Sequence, residues 1–235
     1  MMNGWQALQT FPATWIALTC AAYLLAEFLY LKSGRFPLLN PVLIGIVLVM
    51  ATLLACGVSY RMYFEQAKLI HFLLAPATVA LAIPLYVNIQ RMKAIAGPLL
   101  IAVGVGSVVG ILSALLLGQW FGLSHQVLIS FGPKSVTTPI AMALSAKAGG
   151  LPSLTAGIVI VTGICAAILL VPLLRVLRIH DEVVYGVAVG VAGHGIGTAR
   201  AFQLSETAGA FAGLAMGLNG VLTSLLLPLI LALLA

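Results

Sequence analysis

The sequence predicts an all-α, polytopic transmembrane helix bundle of about eight membrane segments. Three observations lead there. Hydrophobic residues make up 62% of the chain and charged residues 7%, against roughly a quarter charged in an ordinary soluble domain. The few charges cut the chain into apolar blocks close to the ~20 residues that one bilayer crossing needs. Prolines and glycines sit inside some of those blocks rather than between them. No polar surface is left to solvate a soluble fold, so 1–235 is expected to be a single integral membrane domain.

In order, the segments run as follows. About Ala13 to Leu31 forms the first, with one acid, Glu27. Phe36 to Tyr60 is uncharged and forms the second. After Arg61, Glu65 and Lys68 comes Leu69 to Gln90, interrupted by Pro76 and Pro84 and closed by Arg91 and Lys93. Ala94 to Gly122 is an unbroken fourth span. Ser124 to Lys147 carries His125 and the stretch FGPKSVTTP. Leu151 to Leu174 is the sixth, ending at Arg175 and Arg178. Val183 to Ala199 is glycine-rich and holds His194. Thr207 to Ala235 is an uncharged last span. The third, fifth and seventh are the irregular ones.

The net charge of +6 comes from residues scattered between apolar blocks, which suits topology and anionic headgroups and not nucleic acid. Cys20, Cys56 and Cys165 stand alone in apolar stretches with no CxxC or His/Cys pairing, so no metal or redox cofactor is expected. The opening MMNGWQALQTFPATW lacks the basic start of a cleaved signal and the Arg- and Ser-rich character of a transit peptide. The expectation is a multi-pass protein of the bacterial inner membrane that keeps its first helix. Eight full crossings with both termini outside place Lys32, Arg35, Arg91, Lys93, Lys147 and Arg200 on the cytoplasmic side, against Arg61, Lys68, Arg175 and Arg178 on the other. That margin is two.

A shift of 57 positions aligns APATVALAI (Ala75–Ile83) with GPKSVTTPI (Gly132–Ile140), and Gly106 with Gly163. Chance matches are frequent in so biased a composition, and that is one reading; the other is two repeat units, around 69–122 and 124–178, each holding a proline-broken segment and a long helix, the organisation of secondary transporters.

Phe131 to Leu144, FGPKSVTTPIAMAL, carries the chemistry. Gly132 and Pro133 break the helix, and Thr138 followed by Pro139 reads as an N-cap and a first helical residue. A helix start at membrane depth offers unpaired N–H groups and a partial positive charge. With Lys134 and the hydroxyls of Ser135, Thr137 and Thr138, it suits a small carboxylate anion; the alternative is a lysine in an interfacial loop. In GVAVGVAGHGIGTARA (Gly186–Ala201), Gly186 and Gly190, and Gly193 and Gly197, stand four apart and allow close helix approach. His194 either carries a proton or satisfies a backbone group, and Gly195 permits an unwound turn beside it. Thr198 lies one turn on. Arg200 pairs with a substrate carboxylate, with Glu206 or with lipid phosphate. Asn219 in the last span bonds across helices or lines a cavity, and Thr78 is the counterpart of Ser135 in the earlier repeat. No nucleophile triad or phosphate loop is present, so an enzyme is not expected.

FGPKSVTTPIAMALSAKAGG, VAGHGIGTARAFQLSETAGAFAGLAMGLNG and LLAPATVALAIPLY (Leu73–Tyr86) closely resemble the signatures of the LrgB/CidB family over roughly 60–235. The resemblance implies one of two functions. One is a holin- or antiholin-like modulator of murein hydrolase activity and autolysis, alongside a small LrgA/CidA-type membrane partner. The other is transport, as in the plastidal glycolate/glycerate translocator and in relatives linked to pyruvate. That translocator fuses both parts, and the partner part is lacking here. The residues point to alternating-access transport of a small monocarboxylate; the resemblance implies the glycolate, glycerate, pyruvate and lactate class, and a homo-oligomer is expected.

Overall fold

The computed structural model describes residues 11–34, 36, 39–73, 76, 79, 80 and 82–234. Among these the secondary structure is helical, without strands. The helices are α1 (Pro12–Lys32), α2 (Pro41–Ala55), α3 (Tyr60–Gln66), α4 (Lys68–Phe72), α5 (Ala82–Val87), α6 (Ile89–Ala94), α7 (Ala96–Trp120), α8 (His125–Phe131), α9 (Thr138–Ala148), α10 (Pro152–Val176), α11 (Glu182–Phe202) and α12 (Glu206–Leu234). The chain forms two compact units, Met1–Ala82 and Ile83–Ala235.

In the first unit α1 is long and apolar enough to cross a membrane, while α2 and α3 make such a span only as a pair bent by 117°. Asn40 opens α2 by accepting from the Val42 and Leu43 amides at 2.9 and 3.3 Å, with Pro41 at the helix start. Trp15 and Tyr63 meet edge to face at 6.0 Å, and Thr19 shares a 2.8 Å hydrogen bond with the Tyr63 hydroxyl. Trp15, Leu53, Val58 and Ala67 form the buried cluster between these helices.

In the second unit α7, α10 and α12 have crossing length and composition. Contacts fix their directions. Leu99 and Val103 of α7 cluster with Ala215 of α12, and Leu115 clusters with Leu227, so α7 and α12 run parallel. Leu174, near the end of α10, clusters with Ala208, near the start of α12, so α10 runs against them.

Between these rods lie two hairpins. Helix α8 enters, the chain turns at 132–137, and α9 returns. The Leu151 amide, just past α9, donates to Ser130 Oγ of α8 at 2.8 Å. The second hairpin lies within α11, where His194 takes φ 40, ψ −133 and the helix breaks into two arms. A Cβ on Gly197 would lie 2.8 Å from Val189 O, whereas eight residues of continuous helix span about 12 Å. The second arm therefore doubles back along the first. Helix α8 starts from the end where α7 finishes, and α11 starts from the end where α10 finishes, so the hairpins enter from opposite ends and their tips approach mid-depth.

This corrects the count of eight spans. Among the described residues four helices have crossing length and composition, five with the bent pair. The expected fourth to eighth segments all exist as structural units, but the fifth and seventh are hairpins that return to the end they entered. The proline-broken third segment lies mostly outside the described residues, and so does Thr78. Helices α4, α8 and α11 begin at Lys68, His125 and Glu182, each 57 residues after the last. Gly106, Gly163 and Gly220 in α7, α10 and α12 keep the same spacing.

Candidate functional site

The first tip is built as its sequence demands. Gly132 sits closely packed: a Cβ there would lie 2.7 Å from Leu227 Cδ1 and 3.2 Å from Ile129 O, so a larger residue would displace the Leu227 side chain. Pro133 is fully buried behind it. Two turns follow, with Lys134 N donating to Phe131 O and Val136 N to Pro133 O. Helix α9 then starts at Thr138, with Thr137 as the N-cap and no side-chain capping bond. The expected cap at Thr138 is thus one residue late. Pro139 tolerates the second helical position because its missing N–H is one that would stay unpaired there anyway.

Lys134 is half-buried at this tip, and its ammonium donates to Gly110 O of α7. That carbonyl is its one hydrogen-bond partner among the described residues, although an ammonium has three N–H donors. No acid neutralises it, since the one ion pair among the described residues is Lys68–Glu65 at 3.6 Å on the other unit's surface. The hydroxyls of Ser135, Thr137 and Thr138 stand on the same turn, half-buried, with the first free N–H groups of α9 beside them. A positive charge, hydroxyl donors and a helix start are thus carried on one short turn, a combination of the kind that can receive an anion.

At the second tip His194 is buried and its Nε2 lies 2.9 Å from Val159 O of α10, so this nitrogen carries the proton and donates. Its positive φ, unusual for a residue with a Cβ, is held by that bond and by Gly163, where a methyl group would lie 2.7 Å from the imidazole ring. Thr198 Oγ1 donates to His194 O at 2.8 Å.

One side chain joins the tips. Asn219 of α12 is fully buried. Its Nδ2 donates to Ser135 O at 2.9 Å on the first tip and to Val191 O at 3.1 Å beside the second. Its Oδ1 accepts from Ser107 Oγ of α7 at 2.6 Å and from Thr223 Oγ1 at 3.4 Å. Glycines on the flanking rods favour this close approach: a Cβ at Gly106 would lie 3.0 Å from Val191 Cγ1, and one at Gly220 would lie 3.2 Å from Ile140 Cδ1.

The structure sorts the expected residues. Lys134, Ser135, Thr137 and Thr138 are together with hydrogen-bonding capacity to spare. The donors and acceptor of Asn219, the Thr198 hydroxyl and the Nε2 of His194 are engaged within the protein and hold the tips in place. Gly195 follows the break at His194, is exposed, and a Cβ on it would meet nothing within 4 Å. Arg200 donates to Gln203 Oε1 at 3.0 Å at the outer end of its arm, away from the tips. Ser107, Gly110 and Val159 were missed. A serine inside GVGSVVG carries a polar signal, but the two carbonyls have no signature in sequence. Among the described residues no group of three or more His, Cys, Asp or Glu stands together to hold a metal.

The chain is 40% identical over 215 residues to the uncharacterized protein YxaC of Bacillus subtilis, covering 92% of this chain and 93% of that one. YwbG of the same organism is 36% identical over 217 residues, covering 92% and 95%. An antiholin-like protein LrgB of Bacillus cereus is 31% identical over 218 residues, covering 93% and 95%. No solved structure matches. The LrgB-like family model matches residues 19–233, a span that takes in both hairpins and every residue of the tips. With the tip motifs and the whole helical frame inside that match, this multi-pass membrane protein belongs to the LrgB-like family.

Proposed function

We propose that this chain moves a small monocarboxylate across the bacterial inner membrane by alternating access. The observation that carries this reading is Lys134: a half-buried ammonium with one carbonyl partner and no acid, on a hairpin tip beside three hydroxyls and a helix start. A charge at this depth is costly unless something pairs with it, and a carboxylate of the glycolate, pyruvate or lactate class fits. The 57-residue spacing supports the mechanism. A hairpin followed by one crossing makes an odd number of passages, so consecutive units would be inverted repeats around a site at the midplane. Rocking of one hairpin against the other would open the site to alternate sides, and a homo-oligomer would hold the frame.

The second reading is an antiholin-like modulator of murein hydrolase activity, working with an LrgA/CidA-type partner. The names of the relatives favour it, and none of those names speaks of transport. Such a role needs membrane-spanning helices and an assembly surface, not an uncompensated lysine. Uptake of labelled pyruvate, glycolate and lactate into proteoliposomes, with and without a proton gradient, separates the two. Transport predicts saturable uptake of at least one; no uptake of any by folded protein would leave the modulator reading.

A further inference from the structure

A cleft of about 770 Å³ opens between α7, α8, α9 and α12, apart from the hairpin tips. Its walls are apolar, with Leu115, Leu128, Leu227 and Leu231 among them, while His125 and Lys147 stand at one end with Gln119. That end is the outer end of the first hairpin, where α8 begins and α9 finishes. The lining on α12 runs from Ser224 to Leu234, about 15 Å of helix. This is half of the ~30 Å hydrocarbon core, the depth of one leaflet. No acidic residue lines the cleft, so its mouth is positive. We propose that it seats one acyl chain of an anionic phospholipid, with the phosphate on Lys147 and His125. This assignment is independent of the transport reading. Moving a chain from bilayer to groove changes its surroundings little, because lipid tails are as apolar as leucine. Selectivity must therefore come from the headgroup, through charge-assisted bonds to the mouth.

Native mass spectrometry of the full chain, equilibrated in micelles with equal phosphatidylglycerol and phosphatidylcholine, tests this. The expected result is one retained phosphatidylglycerol, with little phosphatidylcholine. The double substitution Lys147→Gln, His125→Gln should lower that retention about tenfold or more. Ala143→Phe, which fills the groove from an exposed position and leaves the charges intact, should abolish it. Both variants fold independently of the lipid if their circular dichroism and elution match the parent. Equal retention of the two lipids, or retention unchanged in both variants, would overturn the proposal. So would a dimer cross-linked through Ala143→Cys, which would make a second copy the occupant.

Discussion

At the scale of single residues, Asn219 and the tip hydroxyls play different parts, and two substitutions separate them. Asn219→Leu keeps the volume but removes the bonds to Ser135 O, Val191 O and Ser107. Hydrogen bonds within membranes contribute about 0.6 kcal/mol on average and up to ~1.7 each, so the loss should be roughly 2–5 kcal/mol. A clear fall in the detergent unfolding midpoint is the expected outcome; an unchanged midpoint would contradict the bridging role. Thr137→Val should do the reverse. Its hydroxyl makes no capping bond, so stability should hold while substrate affinity falls about three- to tenfold, the effect of one lost hydrogen bond. Titration of purified protein measures both. The sequence made Lys134 and its three hydroxyls visible because polar groups in an apolar run stand out. It did not tell a binding Asn219 from a bridging one, because that depends on two backbone carbonyls brought in by folding.

At the scale of elements, the break before α9 was legible to within one residue, since Gly132, Pro133 and Pro139 leave a helix little choice. The reversal in α11 was not. Its pivot is His194, a residue with a Cβ at φ 40, and what holds it there is Val159 O on another helix. The glycine spacing, by contrast, was legible as close packing. A Cβ at Gly190 would run into the backbone carbonyl of Ala212, and one at Gly186 into that of Ala208, neither of which can move cheaply. Gly190→Ala should therefore leave the protein misassembled, seen as aggregation on size-exclusion chromatography. Gly195→Ala should elute and transport as the parent does. Equal behaviour of the two would contradict the hairpin packing.

At the scale of the molecule, re-entrant hairpins change the charge count across the membrane. In the second unit Arg91 and Lys93 precede α7, Arg175 and Arg178 end α10, and Arg200 ends α11, all at one end; Lys147 is at the other. Counting every segment as a crossing had divided these residues four against two, with Lys147 and Arg200 on the same side. With the hairpins returning, five stand against one, and the rule that cytoplasmic loops collect Lys and Arg puts the C-terminus outside. A C-terminal reporter active only beyond the inner membrane should be active, and an inactive one would reverse the orientation.

The central claim is that Lys134 meets a carboxylate between two hairpin tips, and Lys134→Gln tests it most directly. The substitution keeps length and polarity and removes the charge. Losing a charge-assisted contact of about 1.5–3 kcal/mol should raise the apparent dissociation constant of the transported monocarboxylate roughly ten- to a hundredfold, with the unfolding midpoint little changed. Unaltered affinity in correctly folded Lys134→Gln protein would contradict the account.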